Sequence, residues 1–253
     1  MHIVAIYNLP KEKEALAATL AATLGATVYE ALARLKSPGQ GPFVVGVSAA
    51  SEQAEELCRR LGTNGFDAFL LKAGEIESGE KQLIVRKFML GENKLTAESG
   101  PADRLEVDYT GIYLIIRGTS MAQTTTTESI KQNKFSPATA ILSGGLKMTQ
   151  KTEKIVESTT QHREGFFLLY SRDQKTLLFR ENGLVYDSFG PALRTTRQAN
   201  FSYLLEELRR RGPQACYDDR LLTRAGQTQL LGPSLNPEKY LDVATSLLAK
   251  LLR

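Results

Sequence analysis

Cysteine and histidine are nearly missing from this chain, whose 253 residues carry two of each. The cysteines, Cys58 and Cys216, lie far apart, the first inside a predicted helix. That spacing argues against a disulfide framework and fits a reducing compartment, with Cys58 as a small buried hydrophobe. The histidines, His2 and His162, are just as far apart, so no converging ligand set for a structural zinc ion is expected. His162 stands in Thr160-Gln161-His162-Arg163, a polar connector with no nucleophile elbow beside it. It reads as an exposed loop residue, not as the base for a serine or cysteine nucleophile.

Long apolar runs are also missing. No stretch approaches the roughly 18 residues that a membrane span needs. Met1 to Asn8 is a short apolar alternation with neither a basic leader nor a small-residue cleavage site, so a cytoplasmic protein is expected. There is no large excess of one charge: 32 basic and 28 acidic residues are mixed along the chain for a net +4. A dedicated nucleic-acid binder would concentrate its positive field, so that class is disfavoured. The phosphate cradle Gly-x-x-x-x-Gly-Lys-Ser/Thr occurs nowhere. Leu142-Ser143-Gly144-Gly145 opens like the signature of transport ATPases, but Leu146 follows it and the segment reads as a glycine turn. Asp108 and Asp218-Asp219 are the carboxylates that invite an acid/base reading; with no visible partner they read as solvent-facing turn residues. The inventory for catalysis is thin, and neither an enzyme nor a bound cofactor is expected.

What is present is a globular composition, 42% hydrophobic, long enough for two ordinary domains. His2 to Tyr7 reads as a strand. Lys11 to Leu24 reads as a helix with Leu16, Leu20 and Leu24 on one stripe, and Val28 to Leu35 as a second, shorter one. Ser37-Pro38-Gly39-Gln40-Gly41-Pro42 breaks the chain, and Phe43 to Val47 is a strand. Ser48 or Ser51 can cap a helix carrying Ala54, Leu57, Cys58 and Leu61, which Asn64-Gly65 ends before a strand over Phe66 to Leu71. The small, acidic stretch Ala73 to Lys81 reads as a linker.

This order of elements, with Tyr29-Glu30-Ala31 and the Val47-Ser48, Ala54, Leu57, Leu61, Gly65 series, resembles the C-terminal domain of the bacterial ribosomal stalk protein. That fold is shared with the adaptor that feeds substrates to Clp proteases. The resemblance covers the first quarter of the chain and implies a recognition module. In the stalk domain the first helix recruits translation factors through exposed lysines. Here that face carries Ala15, Ala17, Ala18, Thr19, Ala21 and Ala22, which points away from that role.

Beyond the linker, Leu83 to Met89, Lys94 to Glu98, Arg104 to Asp108 and Ile112 to Arg117 read as short strands. Gly118 to Ala140 is polar, with the run Thr124 to Thr127, and reads as a long mobile loop or a weak edge strand. Gly165 to Tyr170, Thr176 to Arg180 and Leu184 to Phe189 read as successive hairpin strands, the last two joined by Asn182-Gly183 in a type I′ turn. Asn200 can cap a helix carrying Phe201, Leu204, Leu205 and Leu208, ended by Gly212-Pro213. Antiparallel strands followed by one helix resemble a pleckstrin-homology-like barrel. They also resemble a bacterial group that pairs such strands with the helix motif seen here as Asn200-Phe201-Ser202-Tyr203-Leu204-Leu205. Asn236 to Arg253 reads as a final helix capped by Asn236, with Tyr240, Ala244, Leu247 and Leu251 as a stripe that packs on its own domain or docks a partner helix.

The expected fold class is α+β: a stalk-like α/β domain over 1–74, a pleckstrin-like antiparallel barrel or sheet over 81–212, and a C-terminal extension over 213–253. The expected role is a protein-binding adaptor or scaffold, with association of a second copy left open. The alternative is binding of phosphate or anionic lipid headgroups at the basic stretch Lys131, Lys134, Lys147, Lys151 and Lys154, against which Glu128, Glu153 and Glu157 favour a solvated face. An enzyme of undescribed type would need a pocket joining His162 to an acid and a nucleophile. Arg209-Arg210-Arg211 reads as favourable charge at a helix C-terminus.

Overall fold

The structure is a computed structural model. It describes the backbone of residues 1–9, 13–36, 41–77, 79–100, 103–135, 149–172 and 175–253, and their side chains except at 13, 80, 122–135 and 149–162. The fold is α+β. In chain order the N-terminal elements are β1 (His2–Tyr7), α1 (Lys13–Leu24), α2 (Val28–Leu35), β2 (Phe43–Ser48), α3 (Ser51–Thr63) and β3 (Asp67–Lys72). These are followed by β4 (Gln82–Val85), β5 (Lys87–Leu90), β6 (Lys94–Glu98), β7 (Arg104–Asp108), β8 (Ile112–Phe135), β9 (Thr149–Ser171) and β10 (Thr176–Arg180). The chain continues through α4 (Arg197–Arg211), β11 (Cys216–Leu221), α5 (Arg224–Leu231) and α6 (Leu241–Leu252). Among the described residues no helix is long and apolar enough to cross a membrane.

Contacts divide the chain into Met1–Ser120 with Glu164–Arg253, and Met121–Arg163. The second unit comprises the later part of β8 and the earlier part of β9. Here the expectation of a loop is corrected, since β8 continues to Phe135; β11 pairs with β8 only from Leu114 to Gly118, which leaves the edge-strand alternative for the later part in place. The β-branched run Thr124 to Thr127 suits an extended backbone, which its polarity had obscured.

In the larger unit, β2, β1 and β3 form an antiparallel three-stranded sheet in that order. β1 is apolar without alternation because both of its faces are covered. Val4 and Ile6 pack with Ala17, Leu20, Ala31, Leu35 and Leu61 of the three N-terminal helices. Ile3 and Ala5 turn the other way, into a core shared with α5, α6 and a second sheet. That sheet has the order β11-β8-β9-β10-β4, with β11 parallel to β8 and β4 parallel to β10. Its period-two alternation divides β9 between two cores. Phe166, Leu168 and Tyr170 face α6, while Phe167 and Leu169 face α4 and the antiparallel sheet β5-β6-β7. A Cβ at Gly118 would lie 2.5 Å from the Phe166 ring, so this β8 position has room only for glycine. Among the described residues the strands close no barrel.

The segments 1–74, 81–212 and 213–253 meet in one core, and α6 is its centre. Val243 to Ala249 are buried without interruption, as expected for a helix enclosed on every side. The C-terminal stripe is therefore packed inside its own chain. The stretch Ala73 to Lys81, expected as a linker, is fastened to this helix. Lys250 Nζ reaches Glu75 and the Leu70 carbonyl at 2.8 Å, Glu77 N–H donates to Ser246 Oγ at 2.9 Å, and Arg253 Nη2 meets Glu77 Oε1 at 3.0 Å.

Several local expectations are corrected. Leu83 to Met89 is not one strand: it breaks at Arg86, whose N–H donates to Glu98 O and whose carbonyl accepts from Val185 N, so β4 and β5 join different sheets. Leu184 to Phe189 is not a strand either. β4 already occupies the free edge of β10, neither Asn182 nor Gly183 has positive φ, and Leu184, Tyr186 and Phe189 turn into the core near a 3-10 turn over Asp187–Ala192. Thr196, not Asn200, caps α4; Asn200 is buried, accepting from Arg194 N at 2.7 Å and donating to Arg194 O at 3.0 Å. Neither Ser48 nor Ser51 is the cap residue of α3, which is Ala50, although Ser48 Oγ accepts from Ala50 N at 3.1 Å. Asn236 organises a turn before α6, which begins only at Leu241.

The buried tyrosines give the fold an alkaline limit. Burial, reinforced by Glu77, pushes the Tyr170 hydroxyl far above its ordinary value of about 10. Burial followed by Glu181 does the same to Tyr186. A raised folded pKa gives stability that is complete below the unfolded value and is lost as pH climbs through the folded one. Urea stability should therefore hold level up to about pH 9 and fall above about pH 10. Tyr186→Phe should flatten that alkaline slope, and an unchanged slope would refute the assignment.

Candidate functional site

A concave surface lies between α2 and α5, with β2 at its floor. The cleft is open and has a volume of about 760 Å³. Phe43 and Val44 form the floor; Tyr29, Glu30, Ala33 and Arg34 form one wall, and Arg224, Ala225, Thr228, Gln229, Gly232 and Pro233 the other. Most of this lining is carbon.

Each wall is fixed locally. Thr27 caps α2 in a reciprocal box: its hydroxyl accepts from Glu30 N at 3.2 Å, and Glu30 Oε2 accepts from Thr27 N at 2.9 Å. The Thr27 N–H first, and its hydroxyl second, hold the Glu30 carboxyl below the usual carboxylate range. Ala31 and Leu35 anchor the opposite face of α2 in the core, which leaves Val28 and Tyr29 outside. Thr223 caps α5, and buried Gln227 ties it down by donating to Thr119 O and Leu221 O at 2.8 Å each. Gly232 ends α5 with φ of 65°, and a Cβ there would lie 3.0 Å from Val44 O. Its left-handed backbone and close approach to β2 both require glycine, and together they shape the end of the cleft.

The cleft holds three charged side chains. Glu30 is occupied by its cap. Arg224 is occupied by Asn236 Oδ1 at 3.1 Å and Glu238 at 3.3 Å. The guanidinium of half-buried Arg34 makes no hydrogen bond or ion pair among the described residues and acts on Glu30 only through space.

The residues singled out in the sequence lie elsewhere. Lys131 and Lys134 fall in β8 and Lys151 and Lys154 in β9, neighbouring strands of one sheet; their side chains, and Lys147 altogether, are outside the described residues. Leu142-Ser143-Gly144-Gly145 and the His162 side chain are outside them as well. Asp218 corrects the reading of Asp218-Asp219 as solvent-facing turn residues: it sits on β11, nearly buried, with its carboxylate 2.6 Å from Arg220 Nη2. The same guanidinium donates to the Gly41 carbonyl, so the pair is a structural brace. Asp108 is exposed, 3.9 Å from Lys94. Cys58 is partly buried, and that burial pushes its thiol pKa up. Arg210 and Arg211 both meet Glu207, and Arg209 stacks on Tyr217 at 4.0 Å. Among the described residues no group of three or more metal-ligating side chains converges.

Sequence reasoning missed the cleft because half of it comes from α5, a helix of eight residues with no marked stripe. The available signal was Val28-Tyr29, two large apolar residues at the start of an amphipathic helix whose buried stripe does not need them. No protein-family model, curated protein or solved structure matches the chain.

Proposed function

We propose that this chain is a cytoplasmic, non-enzymatic adaptor or scaffold that takes a segment of another protein into the cleft between α2 and α5. The observation that carries this reading is Tyr29, 82% exposed beside Val28 at 53%, held on a capped helix over an apolar floor. Large apolar groups fixed in that position around a concave surface are the composition of a recognition site. The resemblance of the N-terminal quarter to the stalk domain supports the same class.

A photo-crosslinking residue in place of Tyr29 should label a partner in cells, and Ala225→Arg, which fills the cleft from the opposite wall, should cut that labelling by at least about tenfold. The same crosslinker at exposed Glu52 on α3 is the control. Equal labelling from both positions, or labelling indifferent to Ala225→Arg, would end the proposal. A second reading, binding of phosphate or anionic headgroups, draws on the placement of Lys131, Lys134, Lys151 and Lys154 on neighbouring strands. It requires salt-sensitive co-sedimentation with phosphatidylserine vesicles, and no co-sedimentation at low salt would remove it.

A further inference from the structure

We infer that the segment entering the cleft is acidic: an apolar stretch carrying a carboxylate that Arg34 receives. This rests on the adaptor reading above and adds the chemistry of the partner. Of the three charged groups in the cleft, two are already satisfied within the chain. The Glu30 carboxylate accepts from both Thr27 donors, and the Arg224 guanidinium is held by Asn236 and Glu238. Arg34 follows Glu30 by one turn on the same wall, half-buried, with none of its guanidinium N–H donors engaged among the described residues. The negative end of α2 favours its charge but does not engage those donors.

A guanidinium presents five donors in a rigid fork that fits a carboxylate through two parallel bonds. Beside an apolar wall it is already partly dehydrated, so pairing there gives up less water than at an open surface. The floor of Phe43 and Val44 calls for apolar side chains next to that carboxylate; with Arg224 paired to Glu238 and Glu30 held by its cap, the Arg34 guanidinium is the charge that the lining leaves for a partner. A basic segment would meet like charge, and a neutral one would leave Arg34 unpaired after the cleft closes over it. A polyphosphate or nucleic-acid backbone would need more free cations than Arg34 alone.

The test pans the full chain against a random 12-residue display library and measures the enriched peptides by fluorescence anisotropy on wild type, Arg34→Gln, Arg34→Glu and Ala225→Arg. Enriched peptides should place Asp or Glu next to apolar residues. Arg34→Gln should weaken them about tenfold and Arg34→Glu more, with thermal stability unchanged. Raising salt should weaken wild type more than Arg34→Gln. Neutral or basic peptides that are lost in Ala225→Arg but not in Arg34→Gln would overturn the acidic inference and leave the cleft as a docking site. Failure to enrich any peptide above the Ala225→Arg control would overturn both.

Discussion

Leu247→Asp is expected to abolish the folded state of the larger unit, and Leu247→Ala to lower its stability by about 3 kcal/mol. Leu247 is fully buried in α6, in the core that also holds Ile3, Ala5, Val44 and Leu71 of the first sheet and Leu114, Leu168 and Leu178 of the second. Alanine leaves a cavity that both sheets line, and no single neighbour can collapse into it. Aspartate would set an unpaired charge there, at a cost of several kcal/mol, comparable to the whole stability of an ordinary domain. Hydrogen exchange on Leu247→Ala distinguishes this from two separable domains. β1 and β9 should lose protection together and to the same extent. Loss confined to one sheet would show that α6 is an appendage of that sheet alone.

Phe167→Ala is expected to cost about 4 kcal/mol in urea denaturation, and Phe167→Leu about 1.5 kcal/mol. The ring is fully buried on the other face of the second sheet. It stacks on Phe179 at a centroid distance of 4.4 Å and meets Phe201 of α4 at 5.1 Å. It thus fastens β10 and α4 to β9, and truncation removes two ring contacts as well as the buried area. A loss below about 1 kcal/mol for alanine would mean that α4 repacks freely, against the close-packed arrangement described here.

The N-terminal order of strand, helix, helix, strand, helix, strand is legible because each element is short, periodic and ended by its own signal, as at Gly25, the Ser37 to Pro42 break and Gly65. The last part of β9, β10 and the apolar stripe of α4 are legible for the same reason, whereas Thr160 to Arg163, read as a polar connector, belongs to β9. What failed was pairing. The Asn182-Gly183 dipeptide carries the local signature of a hairpin, yet the strand beside β10 on the side away from β9 is β4, almost a hundred residues earlier and parallel to it. Local turn chemistry cannot report a competing edge so distant in sequence. The parallel strand β11 escaped notice because Cys216 to Leu221 is charged at its centre, where Asp218 and Arg220 neutralise one another. Of the candidate site, the helix Val28 to Leu35 and Tyr29 on it were legible, but Arg34 was not singled out and the surface they line was not visible. It arises when α5, distant in sequence, settles against β2, and nothing in either segment announces the other.

The central position of α6 also sets an order of events on the ribosome. Ile3 and Ala5 leave the ribosome long before Leu247, yet all three share one core. While the chain is being made, the inner face of the first sheet and the corresponding face of the second have only water, each other or a chaperone to cover them. Contacts of such long sequence separation are made slowly, and unfinished chains expose strands in the meantime. Nascent chains stalled before Leu241 should therefore bind holdase chaperones, and release should coincide with the emergence of this helix.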